Sequence, residues 1–195
     1  EADGTVFQSY EWLACWQRHV GTRQGARPAI VTGRDAGGVL FLFALSVRPV
    51  GFVRVLEWLG SDLCDYNGPL LAKRFADRVD RDRFLALWAQ IAQRLRGKRL
   101  DYDIVKLTKM PEMVGAQPNP FLALGAAVNP SGAYLTRLFG TWEEFYAAKR
   151  SSTTRRRDRT KRKKLADLGE VIFVNTDGDE PTLDLLMEQK ARAFA

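Results

Sequence analysis

The first strongly patterned stretch of the chain has apolar side chains at helical spacing. Leu13, Trp16 and Val20 fall on one face of a helix, which is the pattern of a helix that packs against a core. Ser9 precedes this run, and a serine hydroxyl at that position can accept a hydrogen bond from a free backbone N–H. The pattern therefore predicts a helix that is capped at Ser9 and ends near Val20.

Three apolar runs follow, at residues 28–32, 39–47 and 52–59. The segments between them, 34–38 and 48–51, contain the Gly and Pro residues that are typical of tight turns. The middle run is about half the length that crosses a bilayer, so it predicts a buried strand rather than a membrane helix. Together the three runs predict an antiparallel meander.

The stretch 80–96 has the strongest helical periodicity in the chain. Its apolar positions recur three and four residues apart, as in an amphipathic helix, at Phe84, Leu87, Trp88, Ile91 and Leu95.

Residues 100–107 alternate between apolar and acidic side chains, which predicts a further strand. Four prolines between 111 and 130 predict a loop around a short turn at 120–124. A strand is expected at 133–138, before the next helix.

The last third of the chain contains three predicted helices. Thr141 and Glu144 have the spacing of a capping box at the start of the first. A strongly basic helix follows and ends at Gly169, and the last helix begins near Asp179, where acids and Pro181 favour a helix N-terminus. Residues 170–175 are predicted to form a strand. This order of elements is that of an α+β fold rather than of a regular βαβ repeat.

Charge is concentrated in one place. Residues 149–168 hold ten Lys or Arg and two Asp, whereas the whole chain has a net charge of +7, so all the other residues together carry −1. A broad nucleic-acid footprint is therefore unsupported. A local contact with an anion stays possible, and a solvated helix without a ligand is the alternative.

Length and cysteine content limit the class of protein. The 195 residues suffice for one large domain, or for one domain and the beginning of another. Cys15 and Cys64 lack metal or redox spacing, which favours free thiols in a reducing compartment and hence a cytoplasmic protein. The final helical pattern stops without a C-cap residue, and we expect the chain to be cut from a longer protein.

Six segments, taken in order, resemble one known family. They are FQSYEWLACWQRHVG, VLEWLG, DYNGPLL, DYDIVKLTKMP, RRRDRTKRKKLADLGEVIFV and LMEQKARAF. In order and spacing they are similar to the CelD/BcsL-type acetyltransferase-like proteins of cellulose biosynthesis. That family belongs with the acyl-CoA N-acyltransferase (GNAT) fold, as a tandem pair of GNAT-like halves similar to the FemX-type aminoacyltransferases.

The resemblance implies a GNAT-like α+β fold, with a mixed, largely antiparallel sheet flanked by helices. It also implies a first half at residues 1–150, followed at 151–195 by a basic linking helix and the start of an incomplete second half. In the family the second half supplies most of the acyl-CoA site. We therefore expect acetyl-CoA or another acyl-CoA to bind the full-length protein but not to bind this chain tightly. The sequence also lacks the Gly-rich pattern that holds the CoA pyrophosphate at a helix N-terminus.

Asp65, Tyr66 and Asn67 are the first candidate site, for binding an amine acceptor. A carboxylate beside a phenol and an amide could receive the amine, provided that burial raises the pKa of Asp65. The alternative is that Asp65 and Asn67 satisfy the backbone of a turn. The catalytic residues stay unassigned, because the lone His19 lies in the last turn of the first helix, where capping is the simpler role.

The basic helix is the second candidate site. Arg155, Arg159, Arg162 and Lys163 share one of its faces. Arginine binds phosphate and carboxylate in a bidentate manner, so a phosphorylated donor, a nucleotide-linked sugar or an acidic glycan could bind there.

Two functions remain open on the sequence. In the first, the chain is the N-terminal portion of an enzyme that transfers an acyl group from acyl-CoA to an amine or glycan acceptor, and the resemblance implies a role in polysaccharide or envelope biosynthesis. In the second, it is a non-catalytic module whose basic helix binds an anionic partner such as a glycan, a membrane surface or, less in keeping with the charge distribution, nucleic acid. No metal and no transmembrane segment are expected in either case.

Overall fold

The structure is a computed structural model and describes residues 2–61, 63–97, 100–129, 132, 134, 136–174 and 178–194. The chain divides into two structural units, Glu1–Gly132 (unit 1) and Ala133–Ala195 (unit 2).

Unit 1 is built around a mixed sheet of six described strands. They are β1 Ala2–Asp3, β2 Arg27–Asp35, β3 Gly38–Val50, β4 Val53–Trp58, β5 Leu70–Ala72 and β6 Ile104–Val105. The long β3 lies at the centre, with β2 along one side and β4 and β5 along the other, and β6 and β1 continue the sheet beyond these two. All the pairings are antiparallel except that of β4 with β6.

The meander β2–β3–β4 confirms the three predicted strands. A glycine with positive φ lies at each turn, Gly38 at the start of β3 with 113° and Gly51 between β3 and β4 with 59°, a conformation that residues with a Cβ rarely adopt. The Asp35 carboxylate also accepts a hydrogen bond from the Gly37 N–H at 2.8 Å, as turn aspartates commonly do. The strong turn residues therefore set the pairing of the strands, as the sequence pattern indicated.

Helices cover both faces of this sheet. Helix α1, Tyr10–Trp16, continues into a π-helical turn, Gln17–Gly21, and the Ser9 hydroxyl caps it as predicted. Helix α2, Arg81–Arg96, is capped by Asp80. Side chains alternate between the two faces of β3: Leu42 and Ala44 pack with α1, and Phe43 and Leu45 lie in the core that includes α2. The centre of β3 is buried because both faces are covered.

Phe121 is the centre of the larger core. It is fully buried, and it belongs to the predicted short turn, a 3-10 helix at Pro120–Leu124. Four aromatic rings meet it edge-on at 4.9–5.2 Å, from Phe43, Trp58, Phe84 and Trp88. This edge-to-face arrangement is the favourable one for aromatic rings, so the loop after β6 is tied firmly to both the sheet and α2.

The predicted strand at 100–107 is mostly wrong. Only β6 is strand, and Ile104 on the supposed buried side is 48% exposed. Tyr102, on the same predicted apolar side, is buried as that side requires, and its hydroxyl donates to the carbonyl of Ala92 at 3.1 Å. Asp103 accepts hydrogen bonds from both the backbone and the guanidinium of Arg54. These contacts hold the segment against β4 and α2 with little strand pairing. A short hairpin that the sequence did not predict follows, of β7 Met113–Val114 and β8 Gln117–Pro118.

Unit 2 consists of three described helices. They are α3 Trp142–Lys149, α4 Ser152–Ala166 and α5 Glu180–Ala193. Thr141 and Glu144 form the predicted capping box of α3, and Ser151 and Asp179 cap the other two. The chain turns out of helical geometry at Arg150, so the basic stretch starts in the last turn of α3 and continues in α4.

The two strands predicted in unit 2 are wrong for the residues that the structure describes. Residues 134 and 136–138 are not in a strand, and 133 and 135 lie outside the described residues. Residues 170–174 are also not in a strand, and Asn175 lies outside the described residues. Phe173 is 94% exposed. A strand needs a partner for its backbone groups, and no described segment pairs with this one.

Candidate functional site

The parallel pair of β4 and β6 is the one place where the sheet departs from antiparallel order among the described strands. Val55 lies opposite Ile104, and Leu56 lies opposite Val105. In open α/β sheets, ligands bind in the crevice beyond the carboxyl ends of parallel strands. After β4 the chain passes through Asp65, Tyr66 and Asn67. This loop lies beside residues 108 and 109, which follow the carboxyl end of β6.

Hydrogen bonds join the segments that follow the two strands. The Asn67 N–H donates to the carbonyl of Lys109 at 2.9 Å, and the Asn67 side-chain amide donates to the carbonyl of Thr108 at 3.2 Å. The Lys109 ammonium in turn donates to the carbonyl of Cys64 at 2.8 Å. Asn67 is only 2% exposed. It satisfies loop backbone, which was the alternative to a role in binding an acceptor.

Asp65 and Tyr66 do not form a buried site with Asn67. Asp65 is exposed, so it lacks the burial that the proposed acceptor role requires. Tyr66 is partly exposed, and its backbone carbonyl accepts a hydrogen bond from the Gln8 side chain at 2.9 Å. The three residues are neighbours in the loop, but only Asn67 is held in place by its side chain.

Cys64 lies inside the same loop and is a structural thiol. Its burial raises the pKa of the thiol, whereas a hydrogen bond from the Trp12 indole at 3.3 Å and the nearby charge of Lys109 lower it. Burial has the largest effect, so the thiol stays protonated near neutral pH. Reactive cysteines have the opposite property, a lowered pKa.

Charged groups of both signs lie at the N-terminus of α2, which follows β5 and precedes β6 in the chain: Asp80 and Asp82 alternate with Arg81 and Arg83. Asp80 caps this helix by accepting a hydrogen bond from the Arg83 N–H, and Asp82 lies in the first turn. The positive end of a helix dipole attracts anions, and here two carboxylates already take that position. Asp80 thus already accepts a hydrogen bond that this helix end would otherwise offer to a phosphate.

The cationic helix α4 is the second candidate site, and it pairs with α3 in unit 2. A pocket of about 420 Å³ lies between the two helices, and Arg159 and Arg162 line it as two of the four predicted residues. Arg155 is partly buried, and its Nε lacks a hydrogen-bond partner among the described residues. Lys163 is exposed and does not line the pocket.

Aromatic and acidic side chains that the sequence pattern did not identify form the rest of this pocket: Trp142, Glu143, Tyr146 and Asp158. Trp142 stacks on Tyr146, with ring centroids 5.4 Å apart, and the Tyr146 hydroxyl donates to the Asp158 carboxylate at 2.6 Å. This hydrogen bond raises the pKa of Tyr146 above its ordinary value. Asp158 is the only acid within α4, and that isolation was the signal that could have identified it.

A second cationic face of α4 lies outside the predicted one. It forms a shallow depression of about 470 Å³, which is lined by Thr153, Arg156, Arg157, Thr160, Lys161 and Lys164. The arginine pair at 159 and 162 thus lies beside two acids and two aromatic rings, whereas this second face has cations and hydroxyls only.

Comparisons with known proteins leave the family open. No family model matches the chain, and neither a curated protein nor a solved structure is significantly similar to it. None of the helices in the described part of the chain is long and apolar enough to cross a membrane. Within the same part, no group of three or more His, Cys, Asp or Glu is arranged to hold a metal ion.

Proposed function

We propose that the chain forms part of an acyl-CoA-dependent N-acyltransferase of the GNAT type, which acts on an amine or glycan acceptor. The observation that carries this proposal is the parallel pairing of β4 with β6 inside an otherwise antiparallel, helix-covered sheet. It agrees with the fold that the six family-like segments imply. The two free cysteines are in keeping with a reducing, cytoplasmic site of action.

Unit 1 would serve the reaction without holding the cofactor. Acyl transfer from a thioester needs a neutral amine and polarisation of the carbonyl by backbone N–H groups. It also needs a site for the anionic CoA pyrophosphate. In unit 1, the N-terminus of α2 is capped by the Asp80 carboxylate, and the loop at Asn67 is hydrogen-bonded to backbone, so neither offers such a site. The acyl-CoA site of the whole protein is therefore assigned to sequence outside unit 1.

Calorimetry with acetyl-CoA tests this proposal. The protein as its gene encodes it should bind acetyl-CoA with a dissociation constant between about 1 μM and about 1 mM, the range in which the KM values of most enzymes fall. The 195-residue chain should bind it more weakly or not at all. If a folded sample of the encoded protein gives no heat and releases no CoA thiol with any amine tested, the proposal is wrong.

A second candidate function rests on α4. This helix has eight Lys or Arg and one Asp, and none of its described residues is buried. Such a helix would bind an anionic partner mainly by releasing counterions, so its affinity should fall steeply with salt. We propose an anion-binding module as the alternative function of the chain.

Heparin affinity and its salt dependence test this alternative. Replacing Arg155, Arg159 and Lys163 by Ala should remove about three contacts and lower the slope of log affinity against log salt by roughly 2–3. The matched control replaces three exposed arginines of unit 1, Arg18, Arg23 and Arg81, and should leave the slope unchanged. Binding that is insensitive to salt, or equal in both variants, would exclude the module.

A further inference from the structure

A groove of about 700 Å³ runs along one side of β2 in unit 1. β2 pairs with β3 and, in the described part of the chain, with no other strand. It is thus an edge strand, and the backbone N–H and C=O groups of its outer side are free to pair with another chain.

The shape of the groove follows the backbone of β2. Five consecutive residues, 30–34, line it. Consecutive side chains of a strand point to opposite faces, so a cavity that all five line must lie along the strand's edge rather than on one face. The opposite wall is a single face of α2, with Arg83, Leu87 and Ile91 one turn apart.

The dimensions suit an extended peptide. The β2 wall spans roughly 13 Å at about 3.3 Å per residue. The wall that α2 contributes, from residue 83 to residue 95, spans roughly 18 Å at about 1.5 Å per residue. A strand of about four or five residues fills this length, and every second side chain would pack against Leu87 and Ile91.

Pairing along this edge is limited at both ends. Pro28 has no N–H to donate, and the register with β3 shifts at a bulge between Gly33 and Arg34. Such features protect edge strands against uncontrolled pairing. The free part is residues 29–32, which includes the strand-favouring Ile30, Val31 and Thr32.

The charge of the groove selects the occupant. Three arginines line it, Arg34, Arg83 and Arg94, and the lining contains no Asp or Glu. Of these, the Arg83 guanidinium donates to the Arg78 carbonyl at 3.1 Å and makes a long ion pair of 3.7 Å with the exposed Asp80. Exposed cations around an apolar floor favour a partner that has carboxylates beside its apolar side chains.

We infer that the edge of β2 and the facing side of α2 bind an extended acidic peptide segment, which adds to the sheet as a strand. Main-chain hydrogen bonds to residues 29–32 would supply affinity, and alternate apolar side chains would contact Leu87 and Ile91. Arg83 and Arg94 would select acidic residues. This inference is independent of the proposed acyltransferase activity and of α4.

A peptide library of about seven residues, long enough to span the groove, tests the inference. Its members alternate Val, Ile, Leu or Phe with either acidic or basic residues, and binding to the full ¹⁵N-labelled chain is followed by NMR. Acidic members should shift the amide signals of residues 29–32 and bind roughly tenfold more tightly than basic ones.

Charge reversal identifies the groove as the site. Arg83→Glu combined with Arg94→Glu should weaken the best acidic peptide by roughly tenfold or more. The matched control, Arg18→Glu with Arg81→Glu, changes the net charge equally on unit 1 but outside the groove, and should leave binding within about twofold.

Backbone methylation of the peptide separates strand addition from simple charge attraction. The N–H groups of a paired strand point alternately toward and away from its neighbour. Two versions of the best peptide are therefore methylated at odd or at even residues. One version should lose binding and the other should retain it.

Three results would overturn the inference. The first is that no acidic member of the library binds. The second is that both methylated versions bind equally well. The third is that dodecanoate, an anionic amphiphile, shifts the same signals while the peptides do not, because the groove would then be a lipid site.

Discussion

Phe121 in unit 1 and Trp142 in unit 2 show how differently the two parts of this chain treat large apolar side chains. Phe121 is fully buried among four rings, whereas Trp142 is 62% exposed. All the buried core residues belong to unit 1, and no described residue of unit 2 is buried. Apolar content alone therefore does not make a core, because a core requires elements that cover one another.

This difference indicates different sources of stability. Unit 1 gains from burial of apolar area, which is the dominant favourable contribution to folding. In unit 2, N-cap hydrogen bonds and the Tyr146–Asp158 contact hold helices whose outer faces remain in water. Most helices in proteins depend on packing of an apolar face, so substitutions should have unequal effects in the two units.

The largest effect is expected from Phe121→Ala. Removing a fully buried ring leaves a cavity, and such substitutions cost about 3–5 kcal/mol of unfolding free energy. Phe145→Ala is the counterpart in unit 2. Phe145 is partly exposed and contacts Phe139 and Trp142, so we expect its loss to cost roughly 0.5–1.5 kcal/mol. Denaturant unfolding of both variants measures the contrast. Equal costs would show that unit 2 has a core of its own.

The second largest effect is expected at the buried ion pair of unit 1. The Arg48 guanidinium donates to the buried Glu57 carboxylate at 2.7 Å. Glu57→Ala leaves the guanidinium without this partner and should cost roughly 1.5–3 kcal/mol. The exposed pair of Arg192 with Glu188 at 3.4 Å is the control in unit 2. Glu188→Ala should stay within about 0.5 kcal/mol. A similar loss of unfolding free energy in both variants would show that the buried pair of unit 1 is no more stabilising than the exposed pair of unit 2.

Loss of a helix N-cap should lower stability in both units, by less than the loss of the buried ion pair. Thr141→Ala removes the hydroxyl that accepts from the Glu144 N–H and should cost about 0.5–2 kcal/mol of helix stability. Asp80→Ala should have a similar cost at α2. Circular dichroism of the first variant and denaturant unfolding of the second measure them. If only the Asp80→Ala variant loses stability, the Thr141 cap does not contribute to the stability of α3.

The smallest effect concerns the titration of Tyr146. Asp158 raises the pKa of this phenol, so the protonated form is favoured in the folded chain. The contribution to stability is therefore present below the ordinary tyrosine pKa of about 10 and is lost as pH rises through the folded value.

Asp158→Asn should return the Tyr146 pKa toward its ordinary value, as followed by absorbance near 295 nm. Asp167→Asn removes an acid from the end of the same helix and should leave that titration unchanged. An identical titration in all three proteins would show that the hydrogen bond does not persist in solution.

The sequence could predict the candidate site only where its residues belong to a single helix. The alignment of Arg159 and Arg162 on one face of α4 follows from helical spacing alone, and both do line one pocket. Trp142, Tyr146 and Asp158 were missed because their meeting depends on how α3 packs against α4. Asp65 looked suitable by residue type, but its exposure depends on the path of the loop between β4 and β5.

Local patterns determined most elements of this protein. Ser9, Asp80, Thr141 and Asp179 cap helices, and the turn residues of the meander set three strands, because caps and tight turns involve only neighbouring residues. Tertiary structure alone decided the parallel pairing of β4 with β6, the exposure of Ile104 and the exposure of 170–174. In each of these cases the outcome depends on a partner distant in sequence, since strand pairing and burial are interactions between elements.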